Sequence, residues 1–309
     1  MNRQRIELFV SIASDLGRSL LIASAIVVFS FFLIRMVPGD VVDVLGLEGS
    51  LTYGQQAVLR EDLGLDRGWP AQFADWLGMI LGGDFGSSLR FGTPISDLLM
   101  TALPATLILG GTALLVGLTV GIALPTLACI YPRSIFVALV EFITIWSITM
   151  PTFSIGIISV IVFAVWLDWI PAIGNLVVPA LILGADTAGT LAKMLHEDMR
   201  DTDRAEFVRT ARSKGISRAR IVVFHILPNA FTVVVAISGL LMAGALTGAI
   251  TMEVVFGLSG LGTMTLQAVQ GRDYPVVQAV VIWLGLAVVA ANLASDMLQR
   301  FMDPRLRRT

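Results

Sequence analysis

Seven ionisable side chains stand within fifteen residues of this chain: Asp201-Thr202-Asp203-Arg204-Ala205-Glu206-Phe207-Val208-Arg209-Thr210-Ala211-Arg212-Ser213-Lys214-Gly215. The spacing predicts a short surface helix. Thr202 or Asp203 can cap its start with a side-chain oxygen, and Glu206 suits the positive end of the helix dipole. Arg212 and Lys214 suit the negative end, and Gly215 fits the left-handed residue that closes a helix. Phe207, Val208 and Ala211 fall on one face. Ser217 can cap a second helix that runs through Arg218-Ala219-Arg220-Ile221, with Pro228-Asn229 further along. By itself a basic loop of this kind is a topology signal of membrane proteins, and it carries no catalytic group.

Other reactive residues are sparse. The chain has no G-x-x-x-x-G-K-[ST], and its only lysines, Lys193 and Lys214, lie outside any phosphate-cradling loop. H-E-x-x-H, G-x-S-x-G and C-x-x-C are absent too. One cysteine, Cys129, excludes intrachain disulfides, and two histidines, His196 and His225, argue against a histidine-built metal centre. Glu141, Asp168, Asp186 and Asp296 are the acids read within or at the ends of apolar runs. Glu141 and Asp186 are the deepest, and each either lines a solvated pathway or makes interhelical hydrogen bonds.

The elements that carry these residues must sit in lipid. Of 309 residues 56% are hydrophobic and only 14% charged, against about 25% in soluble proteins. Mean hydropathy is +0.83. A net charge of −2 excludes a generally basic nucleic-acid binder. Six stretches reach the ~20 apolar residues that a crossing needs: 19–37, 102–128, 134–168, 176–194, 227–250 and 276–298. The first lacks the small-residue pattern of a cleavable signal peptide. The third is long enough to be either one helix kinked or broken at Pro151 or a hairpin turning at Met150-Pro151. Charge decides between them. With one crossing, 16 of the 21 Lys and Arg fall on one side, eight of them between Lys193 and Arg220. That side is cytoplasmic by the positive-inside rule. The expected fold is an all-α bundle of six transmembrane helices with both termini inside.

Segment 38–101 then lies outside, too polar to span and too long for a simple turn. Its tryptophans and the Met79-Ile80-Leu81 run predict short helices against the membrane surface. Its excess of acids either follows from the positive-inside charge pattern or forms a docking surface. The Gly117-x-x-x-Gly121 and Gly244-x-x-x-Gly248 pairs let helix backbones approach closely, within this chain or against a second membrane subunit.

Thr210-Ala211-x-x-x-Gly215, followed after nine residues by His225-Ile226-Leu227-Pro228, resembles the E-A-A-x(3)-G-x(9)-I-x-L-P loop of ABC importer permeases. Arg209 replaces the motif's Glu and His225 its Ile, departures that fit the dipeptide/oligopeptide/nickel branch. Further matches run in order along the chain: Val37-Pro38-Gly39-Asp40, Asp84-Phe85-Gly86-x-Ser88, Leu103-Pro104-x-Thr106-Leu107, Met150-Pro151-x-Phe153, Glu253-x-Val255-Phe256, Gly260-Leu261-Gly262, Arg272-Asp273-Tyr274-Pro275 and Asp303-Pro304-Arg305. The long outer segment resembles that of the first of the two permease types.

The resemblance implies a multi-pass permease of the bacterial cytoplasmic (inner) membrane, forming half of a pathway for peptides, nickel or related small solutes. Its expected parts are a cytoplasmic segment 1–18, a first helix 19–37, an external segment 38–101, a core 102–298 containing loop 193–226, and a tail 299–309. Expected partners are a second homologous permease, two cytoplasmic ABC ATPase subunits and an external substrate-binding protein. ATP and magnesium are expected in those ATPases, with no cofactor in this chain and no enzymatic activity of its own. Glu206, Phe207, Arg209, Thr210, Ala211, Arg212, Lys214, Gly215, Leu227 and Pro228 are the expected ATPase-coupling residues. Glu141, Pro151, Phe153 and Asp186 are the expected pathway residues. A rival reading is an ion-coupled secondary transporter, which would need mid-membrane charges and two symmetric halves; the sequence has no such repeat.

The topology is testable by thiol labelling in a Cys129→Ala background. Ser87→Cys should react with an impermeant reagent from outside. Ser213→Cys should react only after the membrane is opened, and its labelling in intact cells would contradict six crossings.

Overall fold

The computed structural model describes residues 3–302 apart from 37–41, 44, 45, 47–51, 63 and 89. The Val37-Pro38-Gly39-Asp40 and Asp303-Pro304-Arg305 motifs, and the tail arginines Arg307 and Arg308, therefore lie outside the described residues. The described residues form helices with no strand, only one isolated bridge between Ser87 and Pro94. In order they are α1 (Arg3–Arg35), α2 (Tyr53–Asp62), α3 (Trp69–Leu81), α4 (Ile95–Ile130), α5 (Ile135–Thr149) and α6 (Thr152–Ser159). Then follow α7 (Val177–Thr202), α8 (Glu206–Ser213), α9 (Arg218–Ile221), α10 (Leu227–Phe256), α11 (Leu261–Gln270) and α12 (Tyr274–Met302). π-helical turns continue α6 over Val160–Trp166 and join α9 to α10 over Val222–Ile226.

Five continuous helical segments are long and apolar enough to cross a membrane: Ile12–Arg35, Ile95–Ile130, Val177–Thr202, Arg218–Phe256 and Tyr274–Arg300. A bent pair of helices makes a sixth if its two arms count as one span. Residues 134–168 are two arms, Ile135–Thr149 and Thr152–Trp166, broken at Pro151 and meeting at 99°. Met150 takes φ −106° and ψ 113° because the ring of Pro151 excludes the helical region for the residue before it. Pro151 also lacks the N–H that would carry the helix through.

Helices overrun the apolar stretches where polar residues can still satisfy a helix in water. Pro94 starts α4 at Ile95 rather than at 102, with Asp97 in the first turn where the dipole favours an acid. The polar turns from Lys193 to Thr202 carry α7 past 194. Gly257, at φ +60°, ends α10 at Phe256 rather than at 250.

Helix α7 is the centre, packed against α4, α5 and α10. At the α4–α7 crossing a Cβ on Gly117 would come within 2.5 Å of the Thr187 side chain, and one on Gly184 within 2.6 Å of Val116. The first glycine pair thus packs inside the chain. In the second, Gly248 faces Leu183 while Gly244 has nothing within 4 Å. Helix α1 lies along α12, where Arg300 and Asp15 form an ion pair at 2.6 Å. Its outer end is held by α3: the Phe73 and Trp76 rings lie 5.1 and 5.2 Å from Phe31, and Arg35 Nε donates to Gln72 Oε1 at 2.9 Å. Helix α3 is therefore fastened to α1.

Gly117→Leu should force α4 and α7 apart at a cost of about 1–3 kcal/mol or more. Membrane abundance and detergent Tm should both fall. Gly244→Leu, facing open space, should leave the fold intact by the same two measurements.

Candidate functional site

The 201–215 loop folds into α8, Glu206–Ser213, shorter than the 203–215 helix expected. Neither Thr202 nor Asp203 caps it. Ala205 occupies the cap position with no side-chain hydrogen bond, and its carbonyl accepts from the N–H groups of Val208 and Arg209 at 3.1 and 3.2 Å. Asp203 is drawn away by cations: it accepts from Arg212 Nη2 at 2.6 Å and from Arg218 Nη1 at 3.0 Å. A charged pairing of this kind outweighs a cap on a solvated helix.

The far end closes through the backbone. Gly215 takes φ +75°; its N–H donates to Arg212 O at 3.0 Å, and the Ile216 N–H to Ala211 O at 3.4 Å. These two bonds form a complete Schellman motif, with Ile216 packed on the cluster that contains Ala211. An L side chain is strained at this φ although space is open around it.

Only Val208 and Ala211 are buried on α8, against Leu195, Met199, Ile221 and Cys129. Burying Val208 contributes about 2 kcal/mol, which holds a helix too short to be stable alone. Phe207, read on one face with Val208 and Ala211, is instead turned away from them and 46% exposed. The buried stripe is two residues wide, and 100° of rotation from Val208 turns this aromatic ring outward. Glu206, Phe207, Arg209, Thr210, Arg212 and Lys214 thus form an exposed polar surface around one aromatic side chain. The Glu206–Arg209 pair, 3.3 Å apart and open to water, adds little stability.

Leu227 and Pro228 open α10 directly after a π-turn. Pro228 has no N–H to give an α-helical bond, and the Leu227 N–H reaches back to Val222 O. Asn229 Nδ2 satisfies His225 O at 2.6 Å. The loop and the crossing that follows it are therefore one continuous helical path from Arg218 to Phe256.

The expected pathway residues are not gathered in one place. Val140 packs with Ala192 in one cluster, and a Cβ on Gly189 would meet Ser147, so α5 and α7 run antiparallel. Asp186 lies on the outer side of that contact and Glu141 on the inner, about 9 Å apart along the axis by residue rise. Glu141 is exposed; Asp186 is half-buried. Pro151 makes the break, and Phe153, 49% exposed, is in the first turn beyond it. The bent arms and α7 border an open apolar pocket of about 340 Å³ lined by Trp146, Ile155, Phe163 and Leu181 among others.

Sequence reasoning missed Glu253 as a buried acid, because the fifth apolar run seemed to stop at 250. It is fully buried in α10, and its Oε2 accepts from the Gly262 N–H at 2.6 Å. The neighbouring Leu261 N–H donates to Thr106 Oγ1 of α4 at 2.9 Å. Two free amides at the start of α11 thus bind α4 and α10 together at the outer side, as helix N-termini bind carboxylates elsewhere. An acid four residues before Gly257, inside a run without other charge, was the available signal. Nearby, Ser88 Oγ donates to buried Asp273 Oδ2 at 2.5 Å and ties the segment before α4 to the α11–α12 junction.

Comparison with known proteins covers nearly all of the chain. Residues 113–308 match the family described as binding-protein-dependent transport system inner membrane component. The di/tripeptide transport system permease protein of Pseudomonas aeruginosa is 30% identical over 329 residues, covering 96% of this chain and 98% of that protein. The oligopeptide transport system permease protein of Bacillus subtilis is 31% identical over 305 residues, covering 93% and 96%. In fold, the chain is similar to a chain of the MetNI methionine ABC transporter in inward-facing conformations, with a TM-score of 0.57 and 19% identity over 67% of this chain and 97% of that one.

Valine at Gly215 should cost on the order of 1–2 kcal/mol through its positive φ. Gly215→Val should leave the chain inserted and abundant while distorting α8 and abolishing function in uptake assays. Gly215→Asn, which tolerates the left-handed region, should retain much more. Equal behaviour of the two variants would contradict a role for this turn.

Proposed function

Because the chain belongs to the family of binding-protein-dependent transport system inner membrane components, we propose that it is one permease half of an ABC importer for short peptides. Its spans are completed by a second, related permease. Two ATPase subunits dock on the cytoplasmic side, and ATP and magnesium act there, outside this chain. An external binding protein delivers the peptide to the outer face, where Ser88 and Asp273 hold the external segment in place. The observation that carries the peptide assignment is the coverage, end to end, of two relatives both named for peptide transport.

In this reading α8 is the coupling helix. Phe207 enters an apolar recess of an ATPase, with Glu206, Arg209, Thr210, Arg212 and Lys214 around it. Val208 and Ala211 keep the helix seated on the bundle. Gly215 closes it, and Leu227 and Pro228 set the start of the crossing that follows. Two ends of one bistable bundle are thereby biased together, by ATP below and by loaded binding protein above. Asp186 has no hydrogen-bond partner among the described residues, which supports a place along the hydrated path for a peptide's ammonium group. Pro151 and Phe153 mark the hinge beside it, and Glu141 lies nearer the inner mouth.

The test is uptake of tri-alanine by proteoliposomes holding the assembled complex. Uptake should require ATP, the binding protein and the intact ATPases. Uptake driven by an ion gradient without ATP would instead identify a secondary transporter. Asp186→Asn should lower tri-alanine uptake while the complex still assembles; unchanged uptake would assign Asp186 to packing.

A further inference from the structure

The last turn of α4 leaves carbonyls with no partner in their own helix. One of them, the carbonyl of Cys129, accepts from both Nε and Nη2 of Arg218, at 3.0 and 2.8 Å. The remaining edge of the same guanidinium is engaged as well. Its Nη1 donates to both carboxylate oxygens of Asp203, at 3.0 and 3.1 Å. Asp203 stands at the end of α7 and also accepts from Arg212 in the last turn of α8. A single planar cation therefore joins the inner ends of α4 and α7 and, through Asp203, reaches α8. The side chains are 32% and 22% exposed, so water screens this contact far less than the open Glu206–Arg209 pair.

We propose that Arg218 is the positioning residue that carries movement of α8 into α4; this rests on the permease reading above. Gly215 breaks the helix between α8 and α9, so α8 could shift alone if nothing bridged that break. The apolar contacts of Val208 and Ala211 are non-directional and permit sliding. The guanidinium fork is directional: its donors fix the orientation of Asp203 relative to the α4 terminus, whose negative dipole end also favours a cation. Lysine keeps the charge but is a point donor on a flexible stem, and it cannot hold both partners in one plane.

The experiment uses the whole complex in proteoliposomes, with Met100→Cys at the exposed outer part of α4 in a Cys129→Ala background. Replacing the Cys129 side chain keeps the backbone carbonyl that Arg218 binds and removes the longer Sγ contact at 3.7 Å, so every comparison is made within this background. The reading is the labelling rate of that thiol with and without ATP and vanadate. In otherwise unaltered protein, ATP and vanadate should change the rate several-fold. With Arg218→Lys added, the ATPases should still co-purify, the ATP-dependent change should vanish, and tri-alanine uptake should fall about tenfold, roughly the effect of losing one hydrogen bond to a charged group. An ATP-dependent change that survives Arg218→Lys would overturn the proposal. So would loss of ATPase co-purification, which would make Arg218 part of the docking surface. A rate insensitive to ATP before Arg218 is altered would sink the permease reading on which the tie rests. Failure of tri-alanine uptake alone, with the labelling response intact, would remove only the peptide assignment.

Discussion

Close approach of two helix backbones at Gly117 and Gly184 sets the geometry of everything else in the bundle. Lipid supplies no hydrophobic force between helices, so close packing must do the work that burial does in water. A Cβ on either glycine would meet the facing helix at 2.6 Å or less. With that crossing fixed, α7 presents Gly189 to α5 and Leu183 to Gly248 of α10, and α4, α5 and α10 all pack on it. The inner end of α7 then emerges beside the inner end of α4. Those two ends form the platform on which α8 rests, through Leu195, Met199 and Cys129.

The same solvent that demands tight packing also expels charge. Ionisable residues therefore gather where helices leave the membrane, and each end uses them to satisfy backbone groups that water or lipid would otherwise leave open. At the inner side Arg218 covers the α4 terminus. At the outer side Glu253 and Thr106 cover the first amides of α11. Each junction joins three helices through one polar side chain or pair. Movement at either face is thus felt by several spans together, which is what a pathway opening alternately to two sides requires.

Much of this was legible in the residues because composition, span length and charge asymmetry follow directly from the bilayer. The Schellman turn at Gly215 was legible too, since only glycine or asparagine rests easily at positive φ. Other features depend on tertiary partners that no local pattern reveals. Asp203 read as a helix cap, but Arg218, fifteen residues later, claims it. Phe207 read as sharing a face with Val208 and Ala211 by helical spacing, whereas the seat under α8 takes only those two. Pro151 announced a break without its angle, because proline removes a donor but neighbouring helices decide where the second arm lies. Glu253 was overlooked since a hydropathy window ends at a charge, while the helix continues to Gly257.

If α8 is the helix that meets the ATPase, its outward-turned aromatic ring must touch that subunit. A photo-crosslinking phenylalanine analogue at Phe207, in the assembled complex, reads this contact directly. Irradiation should yield an adduct between this chain and an ATPase subunit, and ATP should change the yield, while the analogue at buried Val208 gives none. A complex that co-purifies intact yet shows no ATPase adduct from Phe207, with or without ATP, would contradict the assignment of α8 as the coupling element.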